Sequence, residues 1–277
     1  MSKSGSMAVL LAVAVIAGLS ARAQDPAASE ATGGDQASEL AKKLANPVAA
    51  LISVPLQYNY DQNIGPNDKG SKSVLNIQPV WPFSLGEEWN LITRTIIPLI
   101  DQQDIPVEGE SKSGLGDVVQ SFFFSPKAPM AGWIVAVGPV GLYPTASDDV
   151  LGGEKLGAGP TVLALKQQGP WTVGFLGNHI WSVAGQDDRA DISLSFVQPF
   201  VSYITKTKTT LGLNTESTYD WESEQWAVPV NATVSQLLKV GGQIMQVGVG
   251  ARYWAESTDN GPEDWGARAT LTFLFPK

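Results

Sequence analysis

The chain has 277 residues, a net charge of −9, no cysteine and only 16% charged residues. The acidic balance argues against a nucleic-acid partner, and the missing cysteines rule out a disulfide frame. Mean hydropathy is near zero, and past the N-terminus no apolar run approaches the ~20 residues of a spanning helix, which excludes a polytopic helical membrane protein.

The first element is a targeting segment. Lys3 precedes the apolar run Met7–Leu19, and Ala21-Arg22-Ala23 offers a small-x-small cleavage site. This pattern predicts a secretory signal peptide over residues 1–23, with cleavage before Gln24. No cysteine follows the site, so a lipoprotein anchor is excluded. Residues 24–45 are rich in Ala, Ser, Gly and Asp and predict a flexible periplasmic leader or a short helix. An untethered tail is the favoured form of this leader; a segment inserted into the fold behind it is the other.

From residue 46 to 277 the period is two. In Leu211–Trp221, the residues Leu211, Leu213, Thr215, Ser217, Tyr219 and Trp221 alternate with Gly212, Asn214, Glu216, Thr218 and Asp220. After WESEQ, Trp226, Val228, Val230, Ala232 and Val234 take one face, and Pro229, Asn231, Thr233 and Ser235 the other. Strict alternation means strands with two different environments. Twelve such segments run from about 48–60 to about 265–275.

Two kinds of connection alternate between them. Short ones lie at Ser84–Glu88, Ser125–Gly132, Gln167–Pro170, Thr205–Thr209 and Lys239–Gln243. Longer, acidic ones lie at Asp61–Ser73, Asp101–Ser113, Pro144–Lys155, Ala184–Asp191, Asp220–Gln225 and Glu256–Asp264. An even strand number with short turns at one end and long loops at the other predicts an all-β fold, a transmembrane antiparallel β-barrel of the outer-membrane type with about 12 strands. Only a closed sheet leaves no unpaired backbone edge in hydrocarbon.

All nine tryptophans lie near strand ends. Trp81, Trp89, Trp133 and Trp171 flank short turns, and Trp181, Trp221, Trp226 and Trp265 flank acidic loops, as two aromatic girdles require; Trp254 stands with the second group. The last strand places Trp265, Ala267, Ala269, Leu271, Phe273 and Phe275 on one face and Arg268, Thr270 and Thr272 on the other. Parity fails around Phe122, Phe123 and Phe124, which put aromatics on both faces. Pro79, Pro139, Pro199 and Pro229 fall inside strands, where each removes a donor and invites a bulge or a local end.

The stretches NPVAALISVP (46–55), IGPND (64–68), SGLGD (113–117), LGGEKLGAGPT (151–161) and STYDWESEQW (217–226) resemble the family of outer-membrane transporters named for the meta-pathway of phenol degradation. The resemblance spans about residues 40–277. Similar bacterial sequences also carry the label "neuromedin U", after an animal peptide hormone, and nothing in this chain resembles a hormone precursor. The resemblance implies a closed barrel in the outer membrane of a Gram-negative bacterium and passage of hydrophobic or aromatic compounds.

The candidate site is the lumen. Arg94, Asp117, Asn214, Glu216, Asn231, Arg252 and Arg268, with Asn178, fall on the inward face. They form either a constriction carrying both signs of charge or a set of mutually paired groups that fills a narrow barrel. No catalytic residue, cofactor or metal ligand set is expected. The single histidine, His179, has Ser182 three positions on, and alternation puts the two on opposite faces; an interfacial role fits it better than nucleophilic catalysis. The acidic loops suit loose binding of divalent cations alongside lipopolysaccharide. Expected partners are therefore outer-membrane lipid, lipopolysaccharide and a small solute. The leading expectation is a passive channel for small hydrophobic or aromatic solutes. A non-conducting structural barrel comes second, and a lipid-acting barrel enzyme third.

Overall fold

The computed structural model describes residues 39–276. The signal peptide and residues 24–38 of the leader lie outside the described residues.

A short helix over 39–44 and a turn over 45–50 lead into the sheet. The strands are β1 (Ile52–Ile64), β2 (Gly70–Ile77), β3 (Val80–Leu85), β4 (Trp89–Gln103) and β5 (Ser111–Leu115). Next come β6 (Val118–Pro126), β7 (Ile134–Tyr143), β8 (Lys155–Gln168), β9 (Trp171–Gly185) and β10 (Ser193–Ile204). The last are β11 (Thr209–Thr215), β12 (Ser217–Asp220), β13 (Gln225–Val240), β14 (Gln243–Glu256) and β15 (Asp264–Phe275). Every pairing is antiparallel. The pairs β2 and β3, β5 and β6, and β11 and β12 are each one wall strand with a short interruption, so the sheet is a closed 12-strand barrel. Its seam joins the first strand to the last, from Ile52 opposite Phe275 to Tyr60 opposite Ala267.

The first strand begins at Ile52 rather than near residue 48 and runs on to Ile64. Residues 46–51 alternate like a strand, but Asn46 folds them into a turn: its side-chain oxygen accepts the Val48 amide at 3.0 Å. The short helix and this turn then tuck into the short-turn mouth of the barrel. Leu40, Ala49 and Leu51 pack with Leu274, Leu237 and Ile244, and Val48 joins Val80, Ile92 and Phe123. Gln167 Nε2 donates to the Lys42 carbonyl at 2.8 Å. The end of the leader is therefore seated, not a tail.

The prolines act as expected at two places and more mildly at the others. Pro79 follows Gln78 in the gap between β2 and β3. At Pro229 the register of β13 against β14 shifts. The β6–β7 ladder skips Gly138 and Pro139, where a Cβ on Gly138 would collide with the Phe122 carbonyl. Pro199 keeps its place opposite Phe175 of β9.

Large apolar side chains cover the outside of the wall. The eight tryptophans assigned to girdles all point outward, from 41% exposed for Trp133 to 60% for Trp265. Phe122 and Phe124 face outward too, while Phe123 is wholly buried inside.

Candidate functional site

The inside of the barrel has two unlike walls. On the side built by β4 and β6–β10, Ile92, Phe123, Ala136, Leu163, Leu165 and Leu176 close into an apolar cluster that Phe196 and Phe200 extend. On the side built by β1 and β11–β15, the inward residues are charged, amide-bearing or hydroxyl-bearing, with Leu237, Ile244 and Leu274 at the short-turn mouth.

Glu216 is the centre of that second wall. Pairing of β11 and β12 with β13 jumps from Thr215 opposite Val230 to Thr218 opposite Ala227. Across the other edge, pairing with β10 jumps from Phe200 opposite Asn214 to Val197 opposite Ser217. Pro199 and Pro229 flank the gap on the two neighbouring strands. Each lacks an amide proton, so regular pairing lapses there and Glu216 is the residue left between β11 and β12.

Its carboxylate takes two guanidinium donors. Arg268 binds it in a fork, Nη1 donating to Oε1 at 2.9 Å and Nη2 to Oε2 at 2.6 Å. Arg252 Nη1 donates to Oε2 at 3.3 Å. Arg252 Nε lies 3.0 Å from Asp61 Oδ1, and Trp254 Nε1 donates to the same oxygen at 2.8 Å. The Arg252 guanidinium carbon lies 4.7 Å from the centre of the Trp254 ring. Arg268 Nε donates to Asn59 Oδ1 at 2.7 Å, and Asn231 Nδ2 donates to Asn214 Oδ1 at 2.9 Å. Arg252 and Arg268 are buried, so each polar atom needs a partner, and a planar forked cation supplies the geometry.

The structure thus brings together Asn214, Glu216, Asn231, Arg252 and Arg268 from four consecutive wall strands. Arg94 also points inward, donating from Nη2 to Gln78 Oε1 at 2.6 Å. Asp117 does not join them. It sits at the β5–β6 interruption, near the loop end, and accepts the backbone amides of Ala146 at 3.1 Å and Gly153 at 2.7 Å. There it pins the loop over 144–154. Alternation could not show this, because Asp117 falls where the strand is broken.

Asp61, Asn59, Gln78 and Lys72 were missed in the sequence. Asp61 and Lys72 looked like loop residues, but β1 and β2 extend past the expected ends and pair them with each other. Trp254 corrects the girdle pattern: it turns inward to stack on Arg252, and the outward aromatic on that strand is Tyr253, beside Trp265 at 5.0 Å.

Below the charged network, toward the short-turn end, lies open space. One cavity of about 280 Å³ reaches from Arg268 and Asn214 to Phe200 and Ala41. An adjoining one of about 180 Å³ is bounded by Lys43, Gln78, Val80, Arg94 and Gln246. The seated segment forms the floor of both.

The outer loops are laced by opposite charges. Lys69 reaches Glu108 at 2.6 Å, Lys112 reaches Asp148 at 2.7 Å, Lys155 reaches Asp191 at 3.2 Å and Arg189 reaches Glu154 at 3.3 Å. The Lys112 ammonium, with help from the Val150 amide, holds the Asp148 carboxyl down at about 2. Among the described residues no three acidic or histidine side chains converge as metal ligands.

His179 does meet a serine, though not Ser182. Its cross-strand partner on β10 is Ser195. The two lie on the outer face, with His179 Nδ1 and Ser195 Oγ 2.7 Å apart. Trp221 Nε1 donates to the same Oγ at 2.9 Å, and the Trp181 ring packs 4.1 Å from the imidazole. His179 Nε2 is buried without a partner. A serine nucleophile needs a base that a third group orients; among the described residues none meets His179 Nε2. Ser182 instead bonds Asp191 at 3.1 Å.

No protein-family model matches the chain, and no curated protein sequence does. Among solved structures, it resembles an outer membrane channel from Pseudomonas putida F1 with a TM-score of 0.65 and 16% identity, over 82% of this chain and 96% of that one. The NanC porin aligns at a TM-score of 0.48 and 11% identity, over 82% of this chain and 100% of that one. Outer membrane phospholipase A from Escherichia coli aligns at 0.48 and 12%, over 86% and 98%.

Proposed function

We propose that this protein is an outer-membrane channel for passive uptake of small, hydrophobic or aromatic solutes, exported by a cleaved signal peptide and working without catalytic residues or cofactor. The observation that carries this reading is the inverted barrel. Its outside is apolar with tryptophans at both ends, and its inside holds charge, amides and open cavities. Such a surface suits lipid, and such an interior suits a solute path. The fold shared with the Pseudomonas putida channel supports the same reading, as do the sequence stretches resembling the phenol-pathway transporters. Solutes would move down their gradient between the apolar wall and the charged one. Loosely held divalent cations would bridge the acidic loops to lipopolysaccharide.

The seated segment favours a second reading, a non-conducting structural barrel. One experiment separates the two: flux into liposomes carrying the folded protein, with small aromatics compared against sugars of similar size. Aromatic entry above both the sugar rate and that of empty liposomes is expected. No entry of either, from protein shown to be folded, would move the weight to the structural barrel.

A further inference from the structure

We propose that the cavity beneath the charged network is a binding site for small amphipathic carboxylates, with Arg94 as the group that receives the carboxylate. This deepens the channel reading and rests on it for its biological sense.

The charges on the inner wall do not balance. Lys72, Arg94, Arg252 and Arg268 face Asp61 and Glu216, so four cations meet two carboxylates. Glu216 bonds Arg252 and Arg268 and is only a more distant countercharge to Arg94, and Asp61 is held by Arg252. Among the described residues, no carboxylate lies within 4.0 Å of Arg94. Its one hydrogen bond goes to the neutral Gln78. That bond fixes one edge of a planar five-donor cation and leaves the other donors for a ligand.

The surroundings define the rest of the ligand. Lys43 of the seated segment adds a second cation at the cavity edge, and Gln78 and Gln246 add amides. Val80 lines the same cavity, and Phe200 the adjoining one. Val80 belongs to the apolar cluster and stands directly beside Arg94 across the β3–β4 pair, and Phe200 packs against that cluster. A ligand here would meet cations and amides with hydrocarbon directly beside them. The cavities fall near or below the ~300 Å³ low end of ordinary ligand sites, which limits the body to about one ring. The acids of the outer loops do not forbid an anion below them. Several are paired with lysine or arginine, and exposed charges are screened within about 8 Å at physiological salt.

The test is calorimetric titration of the detergent-extracted protein with benzoate, with benzamide (the same shape without the charge) and with inorganic phosphate. A charge-assisted bond to Arg94 is expected to make benzoate bind at least about tenfold tighter than benzamide. Phosphate, lacking the apolar body, is expected to bind more weakly than benzoate. R94Q should abolish the preference for benzoate and R94K should restore part of it. Equal affinity for benzoate and benzamide overturns the proposal, and so does a preference that survives R94Q. If R94Q does not fold, the benzoate-to-benzamide ratio of the unaltered protein decides, with Lys43→Gln expected to lower it. Binding is measured without transport, so the two readings fail separately. Benzoate preference without flux sinks the channel, and flux without benzoate preference sinks only this site.

Discussion

The two walls of the barrel are stabilised by opposite means. The apolar wall on β4 and β6–β10 buries Ile92, Phe123, Leu163, Leu165 and Leu176 against one another. It tolerates small shifts and asks only for volume and hydrocarbon. The charged wall on β1 and β11–β15 depends on a few forked bonds around Glu216 and Asp61. Burying those ions costs desolvation energy that only complete pairing offsets. One wall is thus redundant, whereas the other fails as soon as a single member is lost.

Removing the hub should break the comparison most severely. Glu216→Ala would leave Arg252 and Arg268 without their shared carboxylate, at a cost of about 3–5 kcal/mol. Urea unfolding of the lipid-reconstituted barrel would show it as a lowered midpoint; an unchanged midpoint would mean water already solvates the network. Leu165→Ala, in the apolar wall, should cost about 3 kcal/mol by the same measurement, and neighbouring cavity-filling changes should recover part of it. Outside both walls, Ser195→Ala deletes the hydroxyl that Trp221 and His179 share. It should cost about 1 kcal/mol and leave solute flux unaltered; a large loss of flux would give that pair a role that neither wall supplies.

The mildest effect lies in the loops. The Asp148 carboxyl is held at about 2, below its ordinary 3.8, first by its bond to Lys112. A carboxyl lowered on folding stabilises above its unfolded value and loses that contribution as pH falls through its folded value. The tether should therefore hold at neutral pH and release between about pH 4 and pH 2. Lys112→Ala should return the Asp148 titration, followed by NMR, toward 3.8. No movement would show that the Val150 amide and Asp149 set it without Lys112.

Alternation alone makes most of the barrel readable. Both faces of β13 and β15 fall as the side chains predict, because those strands meet apolar surroundings outside and polar groups inside. It failed where that contrast disappears. Phe122, Phe123 and Phe124 looked two-faced because the apolar wall is hydrophobic inside as well as out, and period two cannot tell two hydrocarbon environments apart. It failed again at one interruption. Asp117 stands where the wall strand breaks between β5 and β6, and that break resets the parity. Gln78 and Glu216 also stand at breaks, but there the inward face carries through. The partnerships themselves, Glu216 with Arg268 or Asp61 with Arg252, join residues that only barrel closure brings together, so no local pattern could reveal them.

The seam between β1 and β15 sets an order of events. The segment that floors the cavities rests on Leu274, in the last strand. That strand meets β1 across the seam, and the same segment also rests on Val80 of β3, so its seat is divided between the two sides. Until Ile52 meets Phe275, the segment has half of its seat and the cavities have no floor. An incompletely inserted barrel therefore has no place for cargo, and ligand capture becomes a readout of finished assembly.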